Sequence, residues 1–324
     1  MREIAFIKQN KEKWIEIEEV VQGKAKKNPD ELSSLYVQLM NDLSFSQSYY
    51  PKSKTTIYLN YLTIQIYQKI YKTKRVEKNR LKSFFTEEVP FIMYANRRIL
   101  LFTFVVFFLF VGIGILSTIH DKEFAKLILG ESYINMTIEN IKEGNAIGVY
   151  ESGSNWGSAI LIIMNNLGVA ARMFIYGVFA GIGTLLFMIY NGIMLGTFQY
   201  FFVEYGALGE SARGIWIHGA FEISAIVIDA MAGFVLGASI LFPKTYSRID
   251  SFKIGFMEAM KIFISTIPFI VMAGLLEGFI TRYALKMPLI LNLIIIFGTL
   301  GLIFYYYVIY PYRIHVKSKK LELV

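Results

Sequence analysis

The stretch WIHGAFEISAIVIDAMAGFVLG, Trp216 to Gly237, holds three residues able to do chemistry in otherwise apolar sequence: His218, Glu222 and Asp229. A histidine exchanges protons near neutral pH and ligates metals, and intramembrane carboxylates serve proton and ion pathways. On a helix, residue 222 lies about 40° around the axis from residue 218, and residue 229 about 20°. The three therefore form one polar stripe. Farther along, Glu277, Thr281 and Arg282 end another apolar run. A charged carboxylate facing lipid at mid-depth costs at least about 2.5–3.5 kcal/mol, so the stripe must face protein or a water-filled cavity. Three chemistries compete for this group. In an interhelical lock, His218 orients Glu222 while Arg282 neutralises Glu222 or Glu277. A proton relay would use the same residues as a pathway. A metal site would use His218 and Glu222 as ligands at i and i+4. The lock is the leading expectation, because a metal needs at least three ligands. The chain has only three histidines, and His120 and His315 fall outside the apolar runs. No metal and no cofactor is expected.

The elements that must position these residues are membrane spans. Of the 324 residues, 55% are hydrophobic and 18% charged, and the mean hydropathy is +0.46; a soluble domain of this size is less apolar. Several runs exceed the roughly 20 residues that cross a bilayer as helix. The N-terminus has no cleavable-signal pattern, since Lys8, Lys11, Glu12 and Lys13 come at once. The absence of cysteine excludes disulfides and thiolate metal sites. The spans read as 99–119, 169–190, 191–205, 215–241, 255–280 (with a kink at Pro268) and 288–310, with Asn191-Gly192 as the tight turn dividing the second from the third. The piece 191–205 is short, and a re-entrant half-helix is its other form. Charge fixes the orientation. Residues 1–98 hold 18 Lys+Arg against 11 Asp+Glu; the 120–157 loop is acidic through Asp121, Glu123, Glu131, Glu139, Glu143 and Glu151. Basic residues return at Lys244, Arg248 and Lys253, and in the 313–324 tail at Arg313, Lys317, Lys319 and Lys320. By the positive-inside rule, six crossings with both termini cytoplasmic satisfy every loop.

Residues 1–98 read as a cytoplasmic helical segment. Asn28 is an N-cap, Pro29 opens the helix, and Leu32, Leu35, Tyr36, Leu39, Met40 and Leu43 recur at helical spacing. A second amphipathic helix runs from about Lys54 to Lys74 through Ile57, Tyr61, Ile64, Tyr67, Ile70 and Tyr71. The basic run Lys69, Lys72, Lys74, Arg75, Lys78, Arg80 and Lys82, followed by Phe84-Phe85 and Pro90, suits a helix lying on the anionic face of a bilayer. That account makes a nucleic-acid partner unnecessary, and none is expected.

Small residues suggest how the spans pack. Gly177/Gly181, Gly192/Gly196 and Gly233/Gly237 are small-xxx-small pairs in three spans, joined by Gly219 beside His218. Such pairs allow close backbone approach, either within the chain or across a symmetric dimer, so a homo-oligomer stays open. Asn165 and Asn166 suit a cap or a bond across helices, and Arg172 must reach an interface or pair internally.

A family resemblance rests on four stretches. ELSSLYVQLMNDLSFSQSYYPKSKTTIYLNYLTIQIYQKIY resembles the helical preamble of longer members of the stage II sporulation protein M family. MNNLGVAARMFIYGVFAGIGTLLFMIYNGIMLG, WIHGAFEISAIVIDAMAGFVLG and LLEGFITR resemble its other signatures, the His-Gly-x-x-Glu element with a downstream Glu-Gly-Phe-x-Thr being the specific part. The resemblance implies an all-α polytopic protein of a bacterial inner membrane, with a non-catalytic scaffold role in envelope remodelling. It also implies other membrane or envelope proteins as partners beside the lipid bilayer. The family namesake anchors peptidoglycan-degrading stage II sporulation proteins D and P during engulfment but lacks the long preamble, so engulfment itself is not carried over. No nucleophile, metal cluster or cofactor motif makes a case for an enzyme. The alternative is a channel or proton- or ion-coupled transporter built on His218, Glu222 and Asp229 and on the break at Asn191-Gly192.

Overall fold

The computed structural model describes residues 2–25, 27–71, 79–148 and 154–321, and the chain divides into two units, Met1–Arg80 and Leu81–Val324. The described residues form helices joined by turns and short connections, without a strand.

The first unit is three helices: α1 (Glu3–Val21), α2 (Pro29–Tyr49) and α3 (Lys54–Tyr71). Asn28 caps α2 as its sequence implies: its Oδ1 accepts from the Glu31 amide at 2.8 Å, while Glu31 Oε2 accepts from the Asn28 amide at 3.4 Å. Such a box satisfies two amides that a helix start leaves unpaired. Phe6, Trp14, Ile17, Leu39, Leu43, Leu59, Leu62 and Ile66 form the core. Polar contacts stitch its edge: Trp14 Nε1 donates to Asp42 at 2.8 Å and the Tyr58 hydroxyl to Glu18 at 3.0 Å. The helix read through Ile57, Tyr61, Ile64 and Tyr67 is present, with those four residues exposed, whereas Leu59, Leu62 and Ile66 face α1 and α2. Both faces of α3 are apolar, so periodicity alone could not choose between them. Lys72, Lys74, Arg75 and Lys78 lie outside the described residues, as does Glu151.

The second unit opens with α4 (Arg80–Ser83), a π-helical turn (Phe84–Glu88) and α5 (Val89–Ala95). At the end of the basic and aromatic stretch, Val89 and Met93 are fully buried against Ile303, Tyr307 and Ala259, while Leu81 and Phe91 are exposed. A second π turn, Tyr305–Ile309, faces the first. Tyr306 donates to the Phe85 carbonyl at 2.9 Å and Tyr310, the first residue after the second turn, to the Thr86 carbonyl at 3.2 Å, so hydroxyls in and just after one irregular turn reach carbonyls of the other. Residues 81–98 thus belong with the membrane helices rather than with a segment ending at 98.

Among the described residues, six helices are long and apolar enough to cross a bilayer. They are α6 (Arg97–His120), α9 (Asn155–Ile175, extended by a 3-10 turn Tyr176–Val178), α10 (Ile182–Glu204), α11 (Leu208–Leu241), α12 (Arg248–Phe279, followed by a 3-10 turn Thr281–Tyr283), and α13 (Leu289–Phe304), which runs through the second π turn into α14 (Tyr310–Leu321). The number six stands, but the division of the second and third spans does not. The chain reverses at Ala180-Gly181, both at positive φ (54° and 81°), and Asn191-Gly192 lies buried inside α10. Only a glycine enters the left-handed region freely, so Gly181 rather than Gly192 makes the turn. Moving the turn starts the second span at Asn155 instead of 169 and gives α10 a full crossing, which removes the re-entrant form. Pro268 sits inside the unbroken α12.

Between α6 and α9, the acidic loop is partly folded as α7 (Glu123–Leu129) and α8 (Glu131–Lys142). These cap one end of the bundle: Ala125 and Ile134 pack on Phe201, Phe202, Ala207 and Ile215. Lys122 pairs with Glu204 at 2.6 Å, and that carboxylate holds the lysine pKa above its ordinary value. α11 is the axis of the unit, packed against α6, α9, α10, α12 and α13.

Candidate functional site

Seven residues from His218 to Ser224 make two turns of α11, and two anchors place them beside α12. Arg213 donates from Nη2 to the carbonyls of Met287 (2.8 Å) and Ala284 (3.3 Å), tying the start of α11 to the connection after α12. Asn292 Nδ2 donates to the same Ala284 carbonyl at 2.8 Å. At helix ends, carbonyls lack partners within the helix, so both side chains supply what the backbone leaves unmet.

In that frame His218, Glu222 and Glu277 converge, with one ligand-type atom of each within 4.8 Å of the others. His218 Nδ1 and Thr281 Oγ1 are hydrogen-bonded at 2.8 Å, which turns the other ring nitrogen, Nε2, toward Glu277 Oε2 at 3.8 Å. Glu222 and Glu277 are themselves in hydrogen-bond contact. Asn166, from α9, donates its amide to Glu222 Oε1. The His218 and Glu277 side chains are only 3% and 12% exposed, so solvent does little to screen the group. A recess of about 360 Å³ lined by Leu161, Ile162, Asn165, Asn166, Glu222 and Glu277 opens beside it.

Asp229 is not part of this group. Its Oδ1 accepts from Thr266 at 2.9 Å, and Oδ2 is buried without a hydrogen-bond partner. One residue away on α12, Ser265 and the Tyr307 hydroxyl are bonded at 3.0 Å. Between the two polar groups lies an apolar layer of Ala170, Ala225 and Ile270, one residue from each of α9, α11 and α12. The 7-residue step from Glu222 to Asp229 is about 10 Å along a helix. The single stripe drawn from the sequence is therefore two polar clusters with a greasy separator.

Arg282 departs from its expected role. Its Nε and Nη2 are buried without hydrogen-bond partners, and among the described residues it forms no ion pair with Glu222 or Glu277. It follows α12 in a 3-10 turn, whose tighter winding (about 120° per residue against 100°) displaces it from the helical face that carries Glu277. Arg172 folds back on its own helix, donating to the Gly168 carbonyl at 2.9 Å. Asn165 sits at the recess beside Asn166.

The glycines act within the chain. A Cβ at Gly177 would land on the backbone of Gly233, and one at Gly237 on that of Gly181, so the pair on α9 and its turn seats directly on the pair of α11. Gly192 and Gly196 meet α6 at Phe107 and Val111. Gly219 differs, since a Cβ there would meet only Ile215 and Ile223 of its own helix at ordinary distance. Backbones this close gain dispersion contact where lipid supplies no hydrophobic drive. The dimer reading loses the support these pairs gave it.

Fold and site together define an all-α, multi-pass membrane protein whose polar groups sit between helices. Residues 103–282 match the family Stage II sporulation protein M, more than half of the chain, and the protein belongs to that family. The match spans α6 to the turn after α12 and so contains His218, Glu222, Asp229, Thr266, Glu277, Thr281 and Arg282, but neither α5 nor the sixth span with Asn292 and Tyr307. Residues 4–72 match a separate domain of unknown function (DUF8413), which coincides with the three-helix unit. No curated protein and no solved structure matches the chain. The family is not a known enzyme family.

Proposed function

We propose that the protein is a non-catalytic scaffold of a bacterial inner membrane, with both termini cytoplasmic, that gathers other envelope proteins during remodelling of the cell envelope. The observation that carries this reading is the apolar layer Ala170–Ala225–Ile270. A proton or ion relay along α11 needs polar groups or water in continuous reach, and this layer interrupts it. What remains on either side are contacts that join α9, α11 and α12. Interhelical hydrogen bonds of this kind contribute about 0.6 kcal/mol each on average, up to about 1.7, which suits a lock. Outside the spans the chain has surfaces for a partner: the α7–α8 cap, and the row Ile57, Tyr61 and Ile64 on α3, 69%, 55% and 46% exposed. Family membership supports the envelope setting. Orientation rests on the excess of basic residues before the first span and after the last.

The test is crosslinking in the source cell followed by purification and mass spectrometry, comparing wild type with an Ile57→Ser, Tyr61→Ser, Ile64→Ser variant at equal expression. Recovery of one envelope protein near one-to-one with wild type, and its loss in the variant, is the expected outcome. Recovery of self-crosslinked chain alone, together with a pH-dependent flux in liposomes that Glu222→Gln removes, would replace the scaffold with a transporter.

A further inference from the structure

The sequence argues against a metal because it supplies only His218 and Glu222. Folding adds a third ligand from 55 residues away. Glu277, on α12, brings its carboxylate to the same point, and all three ligand-type atoms lie within 4.8 Å of one another. We propose that His218, Glu222 and Glu277 form a binding site for a divalent transition cation of the zinc class, which staples α11 to α12 beside α9.

Four observations converge on this site. The donor set of one imidazole nitrogen and two carboxylates suits zinc, which takes histidine nitrogen at about 2.0–2.1 Å and carboxylate oxygen at about 2.0–2.2 Å. Adjacent ligands on a tetrahedral ion are then roughly 3.4 Å apart, close to the 3.8 Å between His218 Nε2 and Glu277 Oε2. Rotation of the carboxylates closes the rest.

The outer partners are those a metal-binding histidine keeps. A ligating imidazole commonly engages its other nitrogen in a hydrogen bond that fixes tautomer and ring orientation. Thr281 Oγ1 holds His218 Nδ1 at 2.8 Å, and Asn166 holds Glu222. Charge points the same way. Two carboxylates face each other inside the membrane unit, and among the described residues neither is in an ion pair with a lysine or arginine. A divalent ion would take the place of the proton that a hydrogen bond between two carboxyl groups requires, and would balance both carboxylates at once, where an uncompensated buried charge is costly. Finally, the recess of about 360 Å³ reaches Glu222 and Glu277, so an ion has a way in and the fourth coordination position can be taken by water or by Asn166. The inference does not depend on the scaffold role, because it is read from metal content and not from a partner.

The experiment uses the full-length chain purified in detergent, treated with EDTA, incubated with zinc chloride and desalted. Metal content is measured by mass spectrometry and thermal stability with and without added zinc. Wild type should retain about one zinc per chain and gain several degrees in Tm. Glu222→Gln and Glu277→Gln, near-isosteric changes, should each lose the metal and the Tm response, while Asp229→Asn, across the apolar layer, should keep both. Thr281→Val leaves the three ligands in place and should weaken zinc binding about 10-fold or more by releasing the imidazole. Its elution as a single species covers the case in which a Gln variant fails to fold. Wild type that holds no zinc and shows no Tm response would overturn the proposal. So would equal zinc retention in well-folded Glu277→Gln, since the ion would then be bound elsewhere.

Discussion

The two units of this chain solve the packing problem with opposite materials. In the three-helix unit, large side chains fill the core: Trp14, Ile17, Leu39, Leu59, Leu62 and Ile66 are all nearly or fully buried, and the buried polar residues beside them are small hydroxyls such as Ser46, Thr56 and Thr63. The membrane unit turns many of its large side chains outward. Leu101, Phe102, Phe104, Val105 and Leu109 of α6 are exposed, while Gly177, Gly233, Thr184, Asp229 and Thr266 are inside. Water drives the first arrangement, because burying apolar surface stabilises it by about 25 cal/mol per Å². Lipid offers no such gain to helix association, so the second depends on backbone contact and interhelical hydrogen bonds. The same residue types therefore carry opposite meaning in the two halves.

The strongest way to break the comparison is to exchange the materials. Gly233 lies against the Met173 carbonyl, Thr184 and Gly177. Gly233→Leu has nowhere to put its side chain except into rigid backbone of α9, and α9 would have to move away from α11. The expected outcome is loss of the folded membrane unit, seen as aggregation in fluorescence-detected size exclusion. Overpacking of ordinary cores costs about 1–3 kcal/mol, but here the obstacle is main chain, so the effect should exceed that range. Trp14→Ala tests the other half. It removes a core aromatic and its bond to Asp42, a change that costs about 3–5 kcal/mol in a water-soluble core. Proteolysis should then release residues 1–80 preferentially, with α6 to α14 still eluting as one species. If Trp14→Ala instead destroyed the membrane unit as Gly233→Leu does, the two units would not be separate cooperative bodies.

This contrast also explains what could be read from sequence. The number of spans was legible because apolar length and loop charge are local properties, and so was the N-cap at Asn28 with Pro29 after it. Three things required the third dimension. The turn at Ala180-Gly181 was hidden because Gly181 and Gly192 are the same residue type, one used for its φ and the other for its lack of a Cβ. The buried face of α3 was hidden because both of its faces are apolar. Within the polar group, His218, Glu222, Glu277 and Thr281 were gathered correctly from helical angles and end positions. Asp229 was wrongly joined to them, since an angle around the axis says nothing of the separator Ala170–Ala225–Ile270, two of whose members lie on other helices. Thr266, Ser265 and Tyr307 were missed for want of any signal, a hydroxyl in an apolar span being common.

The smallest effect is also the most selective, because pH separates the units without a change in sequence. Tyr58 is partly buried beside Glu18, to which it donates at 3.0 Å. Burial first, then the bond to Glu18 and its charge, pushes its pKa from 10.0 up to about 12. A raised pKa means that the folded state keeps a proton which the unfolded chain gives up earlier. Between about pH 10 and 12 the folded form binds more protons than the unfolded, so stability falls with rising pH across that window and is unaffected below it. Measured as the urea midpoint of residues 1–80, wild type should decline over that interval. Tyr58→Phe should lose a little stability at pH 8, about 1 kcal/mol for the deleted bond, yet decline less steeply between pH 10 and 12. Parallel slopes for the two proteins would mean that other tyrosines set the alkaline limit, and that the rim contact contributes nothing distinct from the apolar core it borders.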